Sequence, residues 1–318
     1  MAKVDKAKII SLCNSINKKD GEGSIYTLGS DKANLKMDRW STGIADLDEI
    51  IGGGMPEGRV VEIFGAEGAG KTTLVYHLCG LHSLCLDIPI EGTFDAKRAE
   101  VFGNKPKQML VYRARYGEDA FNKILKFAQA GIPLICVDSV PSLIPKDDYE
   151  KVLKAAEKDS IEQQRVGGVA GLITKYLPPI EEVIENTGTT LLFVNQIRDK
   201  IGALPFGEQT HTMGGHKLQH ADSLKIRVAR RAWIEIPNKN PANTATNEKV
   251  GFILKCKVEK SKVCNPYQEC EIPCFFDRGF VSFDDVPAIR KELMEQRAEM
   301  YSKRKKKEVE DDWEDEEE

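Results

Sequence analysis

The sequence predicts an α/β fold with a mostly parallel central sheet flanked by helices, and three observations carry that expectation. The stretch GAEGAGKTT, Gly65 to Thr73, fits the phosphate-loop pattern G-x-x-x-x-G-K-[ST]. The β-branched run RVVEIF precedes it and LVYHLCGLH follows, with helical composition and no breaker before Gly80. Strand, loop and helix thus stand in the order the pattern requires. Further apolar runs alternate with helical segments, which builds a parallel sheet covered on both faces.

The chemistry of the loop follows from its residue types. Gly65, Gly68 and Gly70 let the backbone bend, so that consecutive amides through Ala66, Glu67, Ala69 and Thr73 turn inward around phosphate oxygens. The helix start adds partial positive charge. Lys71 is expected to reach the β- and γ-phosphates, and the Thr72 hydroxyl to ligate Mg²⁺.

Composition bounds the class. A hydrophobic share of 41% and a charged share of 30% over 318 residues describe one large soluble domain with extensions, or two small ones. No apolar run approaches the roughly 18 residues of a membrane span and no signal peptide opens the chain, so a cytoplasmic protein is expected. The scattered cysteines suit a reducing compartment. Cys264, Cys270 and Cys274 lack a C-x-x-C pair, which argues against zinc. The net charge of −4 conceals an uneven distribution, because residues 308–318 hold nine acids and no base. Residues 1–307 therefore sum to +5, and Lys303 to Lys307 supply all of that excess. Any polyanion contact must rest on local patches.

In chain order, residues 3–18 read as an amphipathic helix with Ile9, Leu12, Cys13 and Ile16 on one stripe, and Gly21 to Gly29 as a turn plus a strand. This arm has too little core to fold alone and packs on its own domain or on a neighbouring copy. In STGIADLDEIIGGG, Ser41 or Thr42 caps a helix that the glycines end. Leu84 to Ile90 is a second strand, ending at Glu91, and residues 118–130 form a helix capped near Gly117. Pro133 to Ser139 is a third strand, delivering Asp138 where an acid reaches the Mg²⁺ shell through water.

Thr189 to Gln196 is a fourth strand, and it opens into Ile197 to Gly215, a long aperiodic segment. Basic residues including Arg198 and Lys200, with Phe206 as the one aromatic, suggest a nucleic-acid contact; an ordinary solvated loop is the alternative. ADSLKIRVARRAWIEI and GFILKCKVEKSKV alternate like antiparallel strands around a polar hairpin. Residues 287–307 suggest a charged helix, and the acidic tail is expected to be disordered.

INKKDGEGSIYTLG, STGIADLD, GRVVEIFGAEGAGKTTL, CVDSVPSLIP, FVNQIRDKIG and TMGGHKLQHADS, in this order, resemble the bacterial RecA recombinase family from about Ile16 to Phe280. Many ATPases own a phosphate loop; far fewer follow VNQIR with a basic loop ending in a glycine pair. The resemblance implies ATP as nucleotide, Glu91 as activator of the attacking water, and Gln196 as a γ-phosphate sensor feeding the second DNA loop. It implies that Lys260 and Lys262 reach the neighbour's γ-phosphate in trans, and that Asp95 contacts adenine. A first DNA loop falls near Ser160 to Gly168, with Arg165, Gly167 and Gly168, and the second ends at Gly214 and Gly215. Arg98 replaces an aromatic that stacks on adenine, a task its planar guanidinium can share. Gln219 and His220 replace an interface lysine and phenylalanine. The family's folded C-terminal domain is missing, which suits a phage-encoded relative.

The expected organisation is an oligomerisation arm at 1–36, a RecA-like ATPase core at 37–285, a charged helix at 286–307 and a disordered tail at 308–318. The implied function is ATP-dependent strand exchange by filaments on single-stranded DNA, with duplex DNA as second substrate. The rivals are a ring-forming motor or helicase of the same fold and a non-enzymatic recombination mediator.

Overall fold

The computed structural model describes residues 5–21, 24–26, 37–92, 94–105, 107–156, 168–199, 210–238 and 247–315. Residues 1–38 form one unit and 39–318 another. The first contains α1 (Lys6–Asp20), capped by Asp5, whose carboxylate accepts from Lys8 N–H. Ile9, Ile10 and Leu12 are exposed on it. Asn17 holds Ile25 by two hydrogen bonds of 2.8 Å, so the chain doubles back on the helix. The strand expected up to Gly29 falls partly outside the described residues, and Ser24 to Tyr26 are not a strand.

The second unit runs β1 (Arg39–Trp40), α2 (Ala45–Ile50), β2 (Met55–Pro56), β3 (Val60–Gly65), α3 (Lys71–Gly80), β4 (Cys85–Pro89), α4 (Ala96–Val101), β5 (Met109–Val111), α5 (Gly117–Gln129) and β6 (Leu134–Asp138). It continues with α6 (Lys146–Ala156), α7 (Gly168–Thr187), β7 (Thr190–Asp199), β8 (Thr210–Thr212), α8 (Gly215–Ala221), β9 (Leu224–Pro237), β10 (Asn247–Ser261), β11 (Glu269–Phe275), β12 (Gly279–Phe280) and α9 (Val286–Asp315). The main sheet is ordered β12-β11-β10-β9-β3-β7-β6-β4-β5. From β9 to β5 every neighbour is parallel, and β10 to β12 add an antiparallel flank.

The unbroken apolar run in β7 has a simple cause. Leu192 and Val194 enter the core beneath α3, whereas Leu191 and Phe193 enter the core beneath α5 and α7, so both faces are buried. Each such side chain contributes roughly 1.5–3 kcal/mol. The same magnitude explains α7, where Pro178 and Pro179 stand inside the helix. An interior proline costs about 3 kcal/mol. Both prolines are exposed, while Leu172, Ile173, Leu177, Ile180 and Ile184 line the buried stripe and outweigh them.

Several expectations are corrected. The helix after STGI is not capped by Ser41 or Thr42. Asp48 inside α2 instead accepts from Thr42 N–H at 2.8 Å and from the Ser41 and Thr42 hydroxyls, so the acid ties the preceding turn to the helix. The α5 N-cap falls at Tyr116, beside Gly117 as expected. The segment after Gln196 is not irregular throughout, because β7 runs on to Asp199 and pairs antiparallel with β8. Finally, α9 does not stop at 307 but continues to Asp315. Beyond Pro287 the sequence has no glycine or proline, and the basic run 303–307 falls at helical spacing from the acids that follow. Its first half docks Leu293 against Ile234, Ile236, Val250 and Phe275. Arg297 pairs with Glu248 of β10 at 3.0 Å.

Candidate nucleotide site and the segments around it

The carboxyl ends of β3, β4, β6 and β7 lie side by side, and each delivers one functional residue. Gly65 is in register with Gln196, and Asp138 lies between Pro89 and Val194. Gly70, at φ 96°, forms the N-cap of α3 in the left-handed region. A Cβ there would stand 3.0 Å from the Phe252 ring and 3.1 Å from Leu254, so the loop leans on β10.

Lys71 is buried and donates to the Gly65 and Ala66 carbonyls at 3.1 and 2.8 Å. Burial pushes its pKa down, opposed by the charges of Asp138, Glu91 and Glu67. Thr72 Oγ1 donates to Asp138 Oδ2 at 2.7 Å. Burial pushes the Asp138 carboxyl up, and Glu91 adds to that while Thr72 and Lys71 oppose it. A half-buried carboxylate held up in this way beside a second acid fits a small divalent cation, and hydroxyl plus carboxylate is a hard-oxygen donor set suited to Mg²⁺.

Glu91 accepts from both the Ser139 hydroxyl and Gln196 Nε2, the latter at 3.0 Å. The acid expected to activate water and the amide expected to sense phosphate therefore touch. Asp95 caps α4, and Arg98 donates to Thr73 Oγ1 at 3.0 Å. A cleft of about 510 Å³ lies against the loop on the side of Asp95 and Arg98, and Glu91, Asp138 and Gln196 stand outside its lining. Its floor is Gly68 to Thr73; Tyr76, Asp95 and Arg98 form one wall and Arg230, Trp233, Phe252 and Phe276 the other.

The second wall escaped the sequence reading. Arg230 donates to the Gly68 carbonyl at 3.0 Å across 162 positions of chain and lies 3.9 Å from the Trp233 ring centre. Alternation marked these residues only as one strand of a hairpin. The one available signal is the pairing of β9 beside β3, which carries β9 past the end of β3 and alongside the loop.

Lys260 and Lys262 are not near their own phosphate loop. Lys260 pairs with Lys225, which is level with Glu62, three residues or about 10 Å short of Gly65 along the strands. Their ammonium groups donate to the Gln219 and His220 carbonyls at the end of α8. Of the residues assigned to DNA, Arg165, Gly167, Lys200 and Phe206 lie outside the described residues. Arg198 sits in β7 opposite His211. Gly168 opens α7 and packs on Pro145. Gly214, at φ 105°, caps α8, and a Cβ there would come within 2.7 Å of Leu218 Cδ2. Gly215 packs equally closely on Ala170 of α7, so both glycines have a packing reason to be glycine.

A buried acid beneath the site gives a pH prediction. Asp87 in β4 is 2% exposed, and its Oδ1 has no hydrogen-bond partner among the described residues. Burial first, and the Asp138 charge second, push its pKa up from 3.8 to about 8. The folded protein therefore holds this proton and the unfolded chain releases it, so the stability it contributes is complete below the lower value and drains away up to the higher one. Asp87→Asn is expected to gain on wild type by roughly 1.4 kcal/mol per pH unit within that window and to level off above it. Thermal midpoints of both proteins across the pH range check this; a constant gap means that Asp87 is ionised in the fold.

Together, fold and cleft define a phosphate-loop nucleotide-binding protein in which the catalytic strand edge continues into a further paired segment. The family model of the RecA N-terminal domain matches residues 7–281. Protein RecA of Campylobacter hominis is 32% identical over 310 residues, covering 95% of this chain and 84% of the relative. Protein RecA of Helicobacter pylori strain P12 is 36% identical over 282 residues, covering 86% and 76%. That of Campylobacter lari is 33% identical over 271 residues, covering 83% and 74%. The chain belongs to the RecA family. It is a recombinase of the bacterial type, an ATPase of homologous recombination and DNA repair. No described helix is long and apolar enough to cross a membrane.

Proposed function

We propose that the chain binds ATP with Mg²⁺ in the cleft, assembles as a helical filament on single-stranded DNA in the cytoplasm, and exchanges that strand with a homologous duplex. The observation that carries this reading is the Gln196–Glu91 hydrogen bond at the root of the segment 197–215. It joins the hydrolytic edge to a basic segment without an intermediary. Loop amides and Lys71 hold the phosphates, and Thr72, with Asp138 through water, holds the metal, which supplies charge neutralisation at the phosphates. Glu91 orients the attacking water and accepts its proton. Arg98 and Asp95 bound the adenine. Lys260 and Lys262 complete the site from the adjacent subunit. Arg165, Gly167, Gly168, Arg198, Lys200, Phe206, Gly214 and Gly215 form the DNA contact, and α1 docks on the neighbour.

The ATPase rate with and without single-stranded DNA, together with strand exchange between a circular single strand and a linear duplex, tests the reading. DNA-stimulated hydrolysis with joint molecules is expected. Rings that translocate without joint molecules support the motor instead, and joint molecules absent alongside negligible turnover support a mediator. Gln196→Ala is expected to keep nucleotide affinity within about threefold and to lose DNA stimulation. A normally stimulated Gln196→Ala enzyme removes the sensor role.

A further inference from the structure

A buried polar cluster lies behind the site, and of the residues given catalytic roles it touches only Gln196, through its backbone N–H. Glu62 is completely buried in β3, three residues before the phosphate loop begins at Gly65. Lys225 of β9 pairs with its carboxylate at 2.8 Å and donates to Thr212 Oγ1 of β8, also at 2.8 Å. Asn195, completely buried in β7, donates through Nδ2 to Glu62 Oε1 at 2.8 Å and to the Met213 carbonyl at 2.7 Å. Its Oδ1 accepts from Gln196 N–H at 2.9 Å and Met213 N–H at 3.3 Å. Thus the amide uses both its oxygen and its nitrogen to fasten the exit of the 197–215 segment to its entrance. Asp222, at the end of α8, stands in the same cluster with its side chain against Glu62. Its carboxyl is held well above the usual range by burial and by Glu62.

We propose that Asn195, Glu62 and Lys225 are the positioning link between the nucleotide site and the 197–215 segment. Asn195 sets the separation of the segment's two ends and Glu62 refers both to the strand that carries the phosphate loop. Lys225 ties β8 to that same carboxylate. Any displacement of β3 or Gln196 by the phosphates then moves both ends of the segment together. Binding Met213 through both its N–H and its carbonyl fixes the distance and the orientation of that end of the segment relative to Asn195. A polar cluster this buried is also demanding, since a half-satisfied one costs more than an apolar core. The inference rests on the proposed DNA role of the segment.

The test compares wild type with Asn195→Ala and with the paired change Glu62→Gln, Lys225→Gln, which removes both charges of the pair together and guards against misfolding of the first variant. Three quantities are read on the full chain: affinity for a fluorescent ATP analogue, stimulation of hydrolysis by single-stranded DNA, and the ratio of DNA affinities with a non-hydrolysable ATP analogue and with ADP. The link predicts nucleotide affinity within about threefold of wild type, stimulation reduced at least about tenfold, and an affinity ratio that collapses toward one. Lower thermal stability with stimulation and ratio intact in either folded variant overturns the proposal and leaves the cluster a structural one. Should wild type itself show no stimulation and no nucleotide-dependent ratio, the strand-exchange reading falls, and this inference with it. Coupling present in wild type and retained in both variants overturns the inference alone.

Discussion

Lys71→Ala is expected to lower ATP turnover by on the order of a thousandfold while the protein stays folded. In the free subunit the ammonium is held by the Gly65 and Ala66 carbonyls and faces Asp138, Glu91 and Glu67. Burial works against its charge, so much of its retention in the cleft depends on those acids and on the phosphates it is placed to meet. Without it, the β- and γ-phosphates lose their fixed cation, and Asp138 and Glu91 confront each other with less relief. Turnover in this variant, read beside nucleotide affinity and a thermal midpoint, decides the matter. Hydrolysis within about tenfold of wild type in folded protein would falsify the assignment of Lys71 to the phosphates.

Lys260→Ala combined with Lys262→Ala is expected to bind nucleotide normally and to lose hydrolysis by a factor of about 10³ or more, the scale on which a cation supplied in trans acts. The strand register is the reason. Lys260 is level with Glu62 and well short of Gly65, and both ammonium groups rest on carbonyls at the end of α8, where a helix terminus favours positive charge. Both therefore stand away from their own cleft. Mixing the double variant with Lys71→Ala protein therefore offers a complementation assay, because some interfaces then join an intact loop to intact lysines. Activity is expected to reappear in mixed assemblies, and its absence from assemblies shown to be mixed removes the shared site.

What the residues announced and what they withheld divide along one physical line. The phosphate loop was legible because its geometry is local: Gly70 must bend and Lys71 must follow at a fixed offset. Asp138 and Glu91 were legible as acids at strand ends, since β4 and β6 are short apolar runs. The second wall of the cleft was not, because Arg230 meets Gly68 only through strand pairing between distant segments. The Gln219 and His220 contacts with the lysines were illegible for another reason: backbone carbonyls accept them, so residue type carried no message. Helix α7 hid behind Pro178 and Pro179, local breakers overruled by a buried stripe. At α2 the cap was sought in Ser41 and Thr42, whereas the working acceptor, Asp48, lies inside the helix.

The placement of Lys260 and Lys262 away from their own loop has a consequence for counting. When each site is completed by the next subunit, an open polymer always keeps one incomplete site at one terminus and one idle pair of lysines at the other. A dimer then has half its sites competent, and the competent fraction climbs toward unity only as the polymer lengthens. Turnover per subunit becomes a ruler of polymer length. The two termini also differ chemically: one can hold nucleotide that it cannot spend, and the other offers cations with nothing to act on. Under the proposed shared site, growth and shedding of subunits would be set by different events at the two termini, and direction would follow from the chain before any DNA is bound.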